Sequence, residues 1–308
     1  MWVRRIGAAW EAYAPAKLNL YLEVLGRRDD GFHELETLMA PIRLYDHLRW
    51  RLPAPGETQG FSLVYDPSTA AEFQALAPPN DQNLVWRAAE LLARTAGVRA
   101  TGQVSLTKRI PTQAGLGGGS SDAAAMLVLA NAAWKLNYPR SRLAELAGQL
   151  GSDAPFFLAD QSAVCRGRGE RVEPVAGVPR LHLVVAKPPV GVSTAEAFDS
   201  LQAERVTESK VQDSHRRLEA LVDALRGGSL AAAGRRMVNS LQPAAASLCE
   251  WINRLRHAFR SLGCYGHLMT GSGSAYFGIM RSARQARCAA AVLSSRNLGT
   301  VVTSASFR

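Results

Sequence analysis

Between Pro111 and Asp122 the chain reads Pro-Thr-Gln-Ala-Gly-Leu-Gly-Gly-Gly-Ser-Ser-Asp and runs straight into the apolar, alanine-rich stretch from Ala123 to Trp134. Glycine tolerates positive φ and carries no Cβ, so a ligand can approach the peptide N–H groups of such a stretch closely. The two serines add hydroxyls and can cap the helix that follows, whose first-turn N–H groups and dipole favour an anion. The segment therefore reads as a nucleotide phosphate loop feeding a helix. A tight turn before a buried helix would use the same residues, so the choice falls to other features.

The common phosphate motifs do not fit. A Walker A loop ends in Gly-Lys-Ser/Thr, and no lysine stands between Lys108 and Lys135. A dinucleotide fingerprint started at Gly115 would need glycine where Ser120 stands, and one started at Gly117 would need glycine where Asp122 stands.

At 308 residues the chain has room for two domains, each with its own core. With 47% apolar and 20% charged residues it is globular in composition. Its longest apolar run, Ala123 to Ala130, is far too short to cross a membrane. Near the N-terminus, Glu11 interrupts before a signal-like apolar region develops, and the expectation is a cytoplasmic protein. The cysteines Cys165, Cys249, Cys264 and Cys288 are far apart, which argues against a zinc site or a disulfide framework. A net charge of +10 suits either nucleic acid or small anionic ligands, but the arginines are scattered and form no basic platform.

Ala16 to Leu25 alternates apolar and polar residues, as a strand with one buried face does. Further strands are expected at Leu35 to Pro41, Leu44 to Leu52, Gly60 to Tyr65, Gln103 to Thr107 and Leu181 to Pro189. Asn83 caps a predicted helix over Leu84 to Ala96, ended by Gly97. Pro139 is expected to close the helix that starts at Ser120, and Ser141 to cap another over Arg142 to Leu150. Gly151-Ser152-Asp153-Ala154-Pro155 turns into a helix. Beyond it Arg205 to Asp213 reads as a polar linker, followed by helices at Leu218 to Leu225, Leu230 to Met237 and Ala244 to Ser261. Strands and helices in groups, without regular βαβ alternation, indicate an α+β fold of two domains, 1–162 and 163–308.

Three segments now stand in order: Pro15-Ala16-Lys17-Leu18-Asn19 with Asp30-Gly31-Phe32-His33, then the loop from Pro111 to Asp122, then Gly271-Ser272-Gly273-Ser274. Together with Leu150-Gly151-Ser152-Asp153-Ala154-Pro155-Phe156-Phe157 they resemble the GHMP small-molecule kinases over nearly the whole chain. Within that superfamily the likeness is strongest to the branch acting on a cytidine-diphosphate-linked methylerythritol in non-mevalonate isoprenoid synthesis. The resemblance implies a two-domain GHMP kinase fold, with a ribosomal-protein-like nucleotide-binding domain and an α/β-sandwich substrate domain. It also implies transfer of the ATP γ-phosphoryl group to the substrate's 2-hydroxyl.

Phosphoryl transfer needs positioning, charge neutralisation and a group to accept the hydroxyl proton. By resemblance, Asp153 matches the catalytic aspartate and Lys17 its lysine partner. ATP falls to Lys108 and to Pro111, Thr112, Gln113, Ala114, Gly115, Leu116, Gly117, Gly118, Gly119, Ser120, Ser121 and Asp122, with Asn83 near the adenine. The substrate falls to Asn19, Phe32, His33, Thr194, Phe198, Gly271, Ser272 and Gly273, with the cytosine between Phe32 and Phe198 and its edge read by His33. Mg2+ is expected to bridge the β- and γ-phosphates, with Ser121 and Asp153 as candidate ligands. The expected partner is the small-molecule substrate, with no nucleic acid and no membrane, on a monomer or weak homodimer.

Relatives acting on mevalonate, homoserine or a sugar have no use for paired aromatics, which argues against those substrates. The glycine loop and the Lys17/Asp153 pair argue against the RNA-binding alternative. Two departures from the family pattern stand out. Ser274 replaces a proline, which is expected to loosen its turn, and Asn239-Ser240-Leu241-Gln242-Pro243 has two neutral side chains where acidic ones are usual.

Overall fold

The computed structural model describes residues 1–53, 60–71, 73, 79–201 and 205–307. The chain forms two compact units that interleave along the sequence. One comprises Met1–Ala16, Leu44–Thr112 and Gly117–Asp160; the other comprises Lys17–Arg43, Gln113–Leu116 and Gln161–Arg308. The chain thus passes between units at several points and not only near residue 162.

In the first unit, strands β1 (Val3–Ile6), β2 (Ala9–Arg27), β3 (His33–Arg51), β4 (Phe61–Tyr65) and β5 (Gly102–Thr107) lie in the order β1-β2-β3-β5-β4. Strand β4 runs parallel to β5, while the end of β3 pairs antiparallel with β5 from His47↔Thr107 to Arg51↔Gln103. Helices α1 (Leu84–Ala96), α2 (Gly118–Ala133) and α3 (Arg140–Leu150), with the short 3-10 turn Pro155–Leu158, complete this unit. Helix α1 follows its local signals closely. The Asn83 side chain accepts from the Val85 N–H at 3.0 Å, and Gly97 closes the helix in the left-handed conformation. Helix α2 has no polar face, and its residues from Ser121 to Leu127 are all buried.

The second unit takes the rest of β2 and β3 and adds β6 (Ala163–Gly167), β7 (Arg171–Pro174), β8 (His182–Lys187), β9 (Val238–Asn239), β10 (Gly266–Met269), β11 (Tyr276–Met280) and β12 (Thr300–Ala305). An antiparallel sheet in the order β10-β11-β8-β12 is its centre. Helices α4 (Thr194–Asp199), α5 (Glu208–Arg226), α6 (Leu230–Arg236), α7 (Gln242–Leu248), α8 (Glu250–Arg260) and α9 (Ala283–Ser295) accompany it. Its core joins Val184, Ile252, Phe259, Met269, Tyr276 and Leu293 with Leu22 and Val24 of β2. The α+β reading holds. Among the described residues no helix is long and apolar enough to cross a membrane.

Several sequence expectations are corrected. Strand β2 is buried on both faces, because its alternate residues Tyr21 and Glu23 meet Ser214 and Arg217 of α5. The two segments around Pro41 form the single strand β3. Pro41 falls between the stretch that pairs with β6, Leu35 to Met39, and the stretch that pairs with β5, His47 to Arg51. Its missing N–H therefore costs neither ladder a bond. Helix α2 starts at Gly118 and ends at Ala133, before Pro139, and α3 starts at Arg140, which places Ser141 inside it. The presumed linker from Arg205 contains the start of α5, capped by Thr207, whose hydroxyl accepts from the Lys210 N–H at 3.4 Å. The presumed helix from Ala244 to Ser261 is two helices, α7 and α8, divided by extended backbone at Cys249.

Candidate active site

The first unit supplies the second half of the glycine-rich loop. Gly117 sits at φ 72° as the N-terminal cap residue of α2, and no side chain caps the helix. The serine cap expected from the sequence is absent because the helix starts before the serines, which places Ser120 and Ser121 in its first turn. The first-turn N–H groups are thus left for an anion. A Cβ on Gly151 would stand 3.5 Å from Ser120 Oγ, so the loop serine lies beside the turn carrying Ser152 and Asp153.

Beneath that loop lies a buried charge cluster. Lys108 Nζ donates to Asp46 Oδ2 and, at 2.6 Å, to Asp122 Oδ2. Asp46 Oδ1 also accepts from the backbone N–H groups of Arg109 at 2.6 Å and Ile110 at 2.8 Å. Burial pulls the Lys108 ammonium towards neutrality, but the two carboxylates outweigh it and hold its pKa above the ordinary lysine value. Asp122 is held well above the usual carboxylate range by burial and by the charge of Asp46, against the pull of Lys108. Asp46 was not visible as a site residue in the sequence, because it lies in a strand 62 positions from its lysine.

The second unit gathers Lys17, Asn19, residues 113–116 and the third glycine turn. Lys17 Nζ donates to Asn19 Oδ1 at 2.6 Å, and Asn19 Nδ2 donates to Thr37 Oγ1 at 2.9 Å. The shared strand face predicted for Lys17 and Asn19 is present. Thr270 Oγ1 accepts from the Asn19 N–H at 3.1 Å and lies 3.3 Å from the Gly115 carbonyl, while the Lys17 N–H donates to the Leu116 carbonyl at 2.9 Å. Gly115, at φ 71°, packs so closely on Thr270 that a Cβ there would overlap the Thr270 carbonyl.

Asn239 organises the third glycine turn: its Nδ2 donates to the carbonyls of Met269 and Gly271, each at 2.8 Å. The neutral replacements beside it now have a physical account. Ser240 Oγ accepts from the Val24 N–H at 2.9 Å, and Gln242 Oε1 accepts from the Met269 N–H at 3.0 Å. Both positions act as acceptors, a task that needs no negative charge. Ser274, expected to loosen its turn, is tied by its hydroxyl, which donates to the Val190 carbonyl at 2.6 Å.

The aromatic residues are arranged differently from the expected sandwich. Phe198 packs on His33 with ring centroids 5.1 Å apart, while the Arg168 guanidinium lies 4.7 Å above the ring of Phe32. In this structure both rings assigned to the base already have a partner, and the turn at residues 28–33 is tied to the β6–β7 hairpin. Glu34 makes that attachment, accepting from Arg28 at 2.7 Å, Arg171 at 2.6 Å and the Gly167 N–H at 3.2 Å. Phe32 remains 51% exposed. Thr194 and Ser272 come together, their hydroxyls 2.8 Å apart.

The donor set suits a magnesium ion carried mainly by a nucleotide. Ser121 Oγ is a buried oxygen without a hydrogen-bond partner among the described residues. No group of three or more His, Cys, Asp or Glu residues able to hold a metal occurs among them. One or two hard oxygen ligands beside phosphate oxygens are what magnesium asks of a protein.

Models of two families match the chain: the GHMP kinases N terminal domain over residues 83–168 and the GHMP kinases C terminal domain over residues 221–297. A 4-diphosphocytidyl-2-C-methyl-D-erythritol kinase of Pelotomaculum thermopropionicum is 42% identical over 280 residues, covering 91% of this chain and 92% of that protein. The chain belongs to the GHMP kinase family. A 4-diphosphocytidyl-2-C-methyl-D-erythritol kinase of Geobacillus thermodenitrificans is 39% identical and covers 87% of both chains. Among solved structures, a 4-(cytidine 5'-diphospho)-2C-methyl-D-erythritol kinase superposes with a TM-score of 0.78 at 35% identity, covering 97% of this GHMP kinase and 99% of the other chain. The homoserine kinase of Cytophaga hutchinsonii, at 17% identity and a TM-score of 0.74, shares the fold.

Proposed function

We propose that this GHMP kinase transfers the γ-phosphoryl group of ATP to the 2-hydroxyl of 4-diphosphocytidyl-2-C-methyl-D-erythritol, giving the 2-phosphate and ADP. The observation that carries the reading is the 42% identity to a kinase of that name over nine-tenths of the chain. Two substrate classes meet distinct chemistry in the sequence: glycine-rich backbone for a triphosphate, and Phe32, His33 and Phe198 for a nucleobase.

In this reading the N–H groups from Gly115 to Ser121 cradle the phosphates, and the uncapped start of α2 favours their charge. Asp153 orients the acceptor hydroxyl and takes its proton, and the Lys17 ammonium stabilises the developing alkoxide. Asn19, bonded to Lys17 at 2.6 Å, fixes the direction of that ammonium. Ser121 and Asp153 are the residues that would hold magnesium, which neutralises phosphate charge when bound. His33 reads the cytosine edge and an aromatic ring covers its face. A base stacking on the faces of Phe32 and Phe198 that Arg168 and His33 now cover displaces them. Thr194, Ser272 and the glycines of the third turn line the acceptor's remaining path. Asn83 is assigned to the adenine end. A cytoplasmic, monomeric or weakly dimeric enzyme without nucleic-acid partners completes the proposal.

The decisive experiment is an ADP-release assay over a panel of alcohol acceptors with and without the cytidine diphosphate group. Turnover confined to the cytidylated alcohol supports the proposal. Equal turnover of mevalonate, homoserine or a free sugar refutes it.

A further inference from the structure

Resemblance gives Lys108 a direct part in phosphate binding, yet its surroundings point elsewhere. Its ammonium is engaged by two carboxylates, Asp46 and Asp122, and is 5% exposed. With both carboxylates bound to it, the ammonium has little charge left to offer a triphosphate. What the cluster does touch is the loop's framework. Asp46 holds the successive N–H groups of Arg109 and Ile110 at 2.6 and 2.8 Å, the segment that leads into Pro111. Lys108 holds Asp122, just past the first turn of α2, at 2.6 Å. A Cβ on Gly118 would stand 3.2 Å from Lys108 Nζ, so the ammonium is packed beneath the loop's own glycine.

We infer that Asp46 is a positioning residue for ATP, and that Lys108 is a strut between Asp46 and Asp122 rather than a phosphate ligand. Asp46 fixes where the phosphate loop begins, Lys108 passes that position to the start of α2, and the backbone N–H groups between them are presented at a set separation. Charge-assisted hydrogen bonds in a buried site have the strength for this, and preorganised donors bind without reorganising. The inference rests on the reading of residues 115–121 as the ATP loop.

Asp46→Asn tests it, with MgATP titrated calorimetrically into the full chain and steady-state kinetics measured well below the melting temperature. An amide at position 46 retains an acceptor for the backbone but loses the charge that holds Lys108. MgATP affinity is expected to fall about tenfold, the loss of one charge-assisted hydrogen bond. KM for MgATP should rise in step, with kcat and the acceptor's KM changed by no more than about twofold. Lys108→Met should weaken binding similarly, and the double variant should be no worse than the weaker-binding single one, because both cut one strut. A purely stabilising role predicts a lower melting temperature with an unchanged KM, and that result overturns the inference. A phosphate-binding Lys108 predicts the opposite sign, since Asp46→Asn would free its ammonium and leave MgATP binding equal or tighter. Asp122→Asn frees the same ammonium and is read the same way should Asp46→Asn not fold. If the unaltered chain binds no MgATP, the phosphate-loop reading falls and this inference with it; if it binds and Asp46→Asn binds equally well, the inference alone falls.

Discussion

The side-chain amide of Asn239 donates to the Gly271 carbonyl at 2.8 Å and so fixes the third glycine turn from a residue 32 positions upstream. The same amide nitrogen holds the Met269 carbonyl, and Asn239 Oδ1 accepts from the Leu241 N–H at 3.0 Å. Asn239→Asp is nearly isosteric but turns a donor towards two carbonyls into an acceptor. Leaving buried groups unpaired costs about 1–3 kcal/mol. Thermal unfolding should show that loss, and a melting temperature equal to that of the unaltered chain would refute the account.

Gly115→Ala places a methyl against the Thr270 carbonyl at a backbone φ of 71°. Left-handed backbone alone costs a non-glycine residue about 1–2 kcal/mol, and the overlap forces the turn to move. Calorimetry with MgATP should find binding strongly weakened, whereas Gly31→Ala, at φ 85° with nothing near its Cβ, should pay the backbone cost only. Equal MgATP affinities for the two variants would contradict the packing described.

Lys17→Ala and Asp153→Ala should each lower kcat by about 10²–10⁴, the range of proton-transfer catalysis, while MgATP still binds. Rapid-quench measurement of the chemical step separates this from slow product release. Near-full turnover by Asp153→Ala at saturating substrates would remove its assigned role.

His33 offers a pH test. Its burial, and then the charge of Arg27, lowers its pKa below the ordinary 6.5, against a smaller opposite pull from Asp199. The imidazole is therefore mostly neutral at 6.5 and more so above it, with one nitrogen to donate and one to accept. The unfolded chain takes up the proton first as the pH falls, so this group's contribution to stability is complete above 6.5 and declines below it. The acceptor's KM should rise on acidification with a midpoint below 6.5, and His33→Gln should abolish that rise. A midpoint above 6.5 would show that another group is titrating.

What the sequence revealed and what it hid follow from range. Asn83 and Gly97 mark both ends of α1 because a cap is decided within a few residues. Gly117 to Ser121 was legible as a loop before a helix for the same reason, although the starting residue was not. The break at Cys249 carries neither glycine nor proline, so no local signal marks it. Asp46 and Thr270 escaped notice, and Asn239 was seen without its role, because each acts on backbone far along the chain. Phe32 and Phe198 were identified as aromatic residues with a common purpose, but no local rule could foretell that Arg168 and His33 would lie against them.

The interleaving of the two units bears on how hybrid enzymes must be cut. A crossover at a single point near residue 161 would pair the Lys17–Arg43 and Gln113–Leu116 segments of one parent with the Gln161–Arg308 segment of another. Gly115 and Thr270 would then descend from different ancestors, although they meet backbone to backbone with no room for a methyl. Chimeras that keep residues 17–43, 113–116 and everything after 160 from one parent inherit that fit intact. The short tetrapeptide within the phosphate loop travels, in heredity, with the far end of the chain.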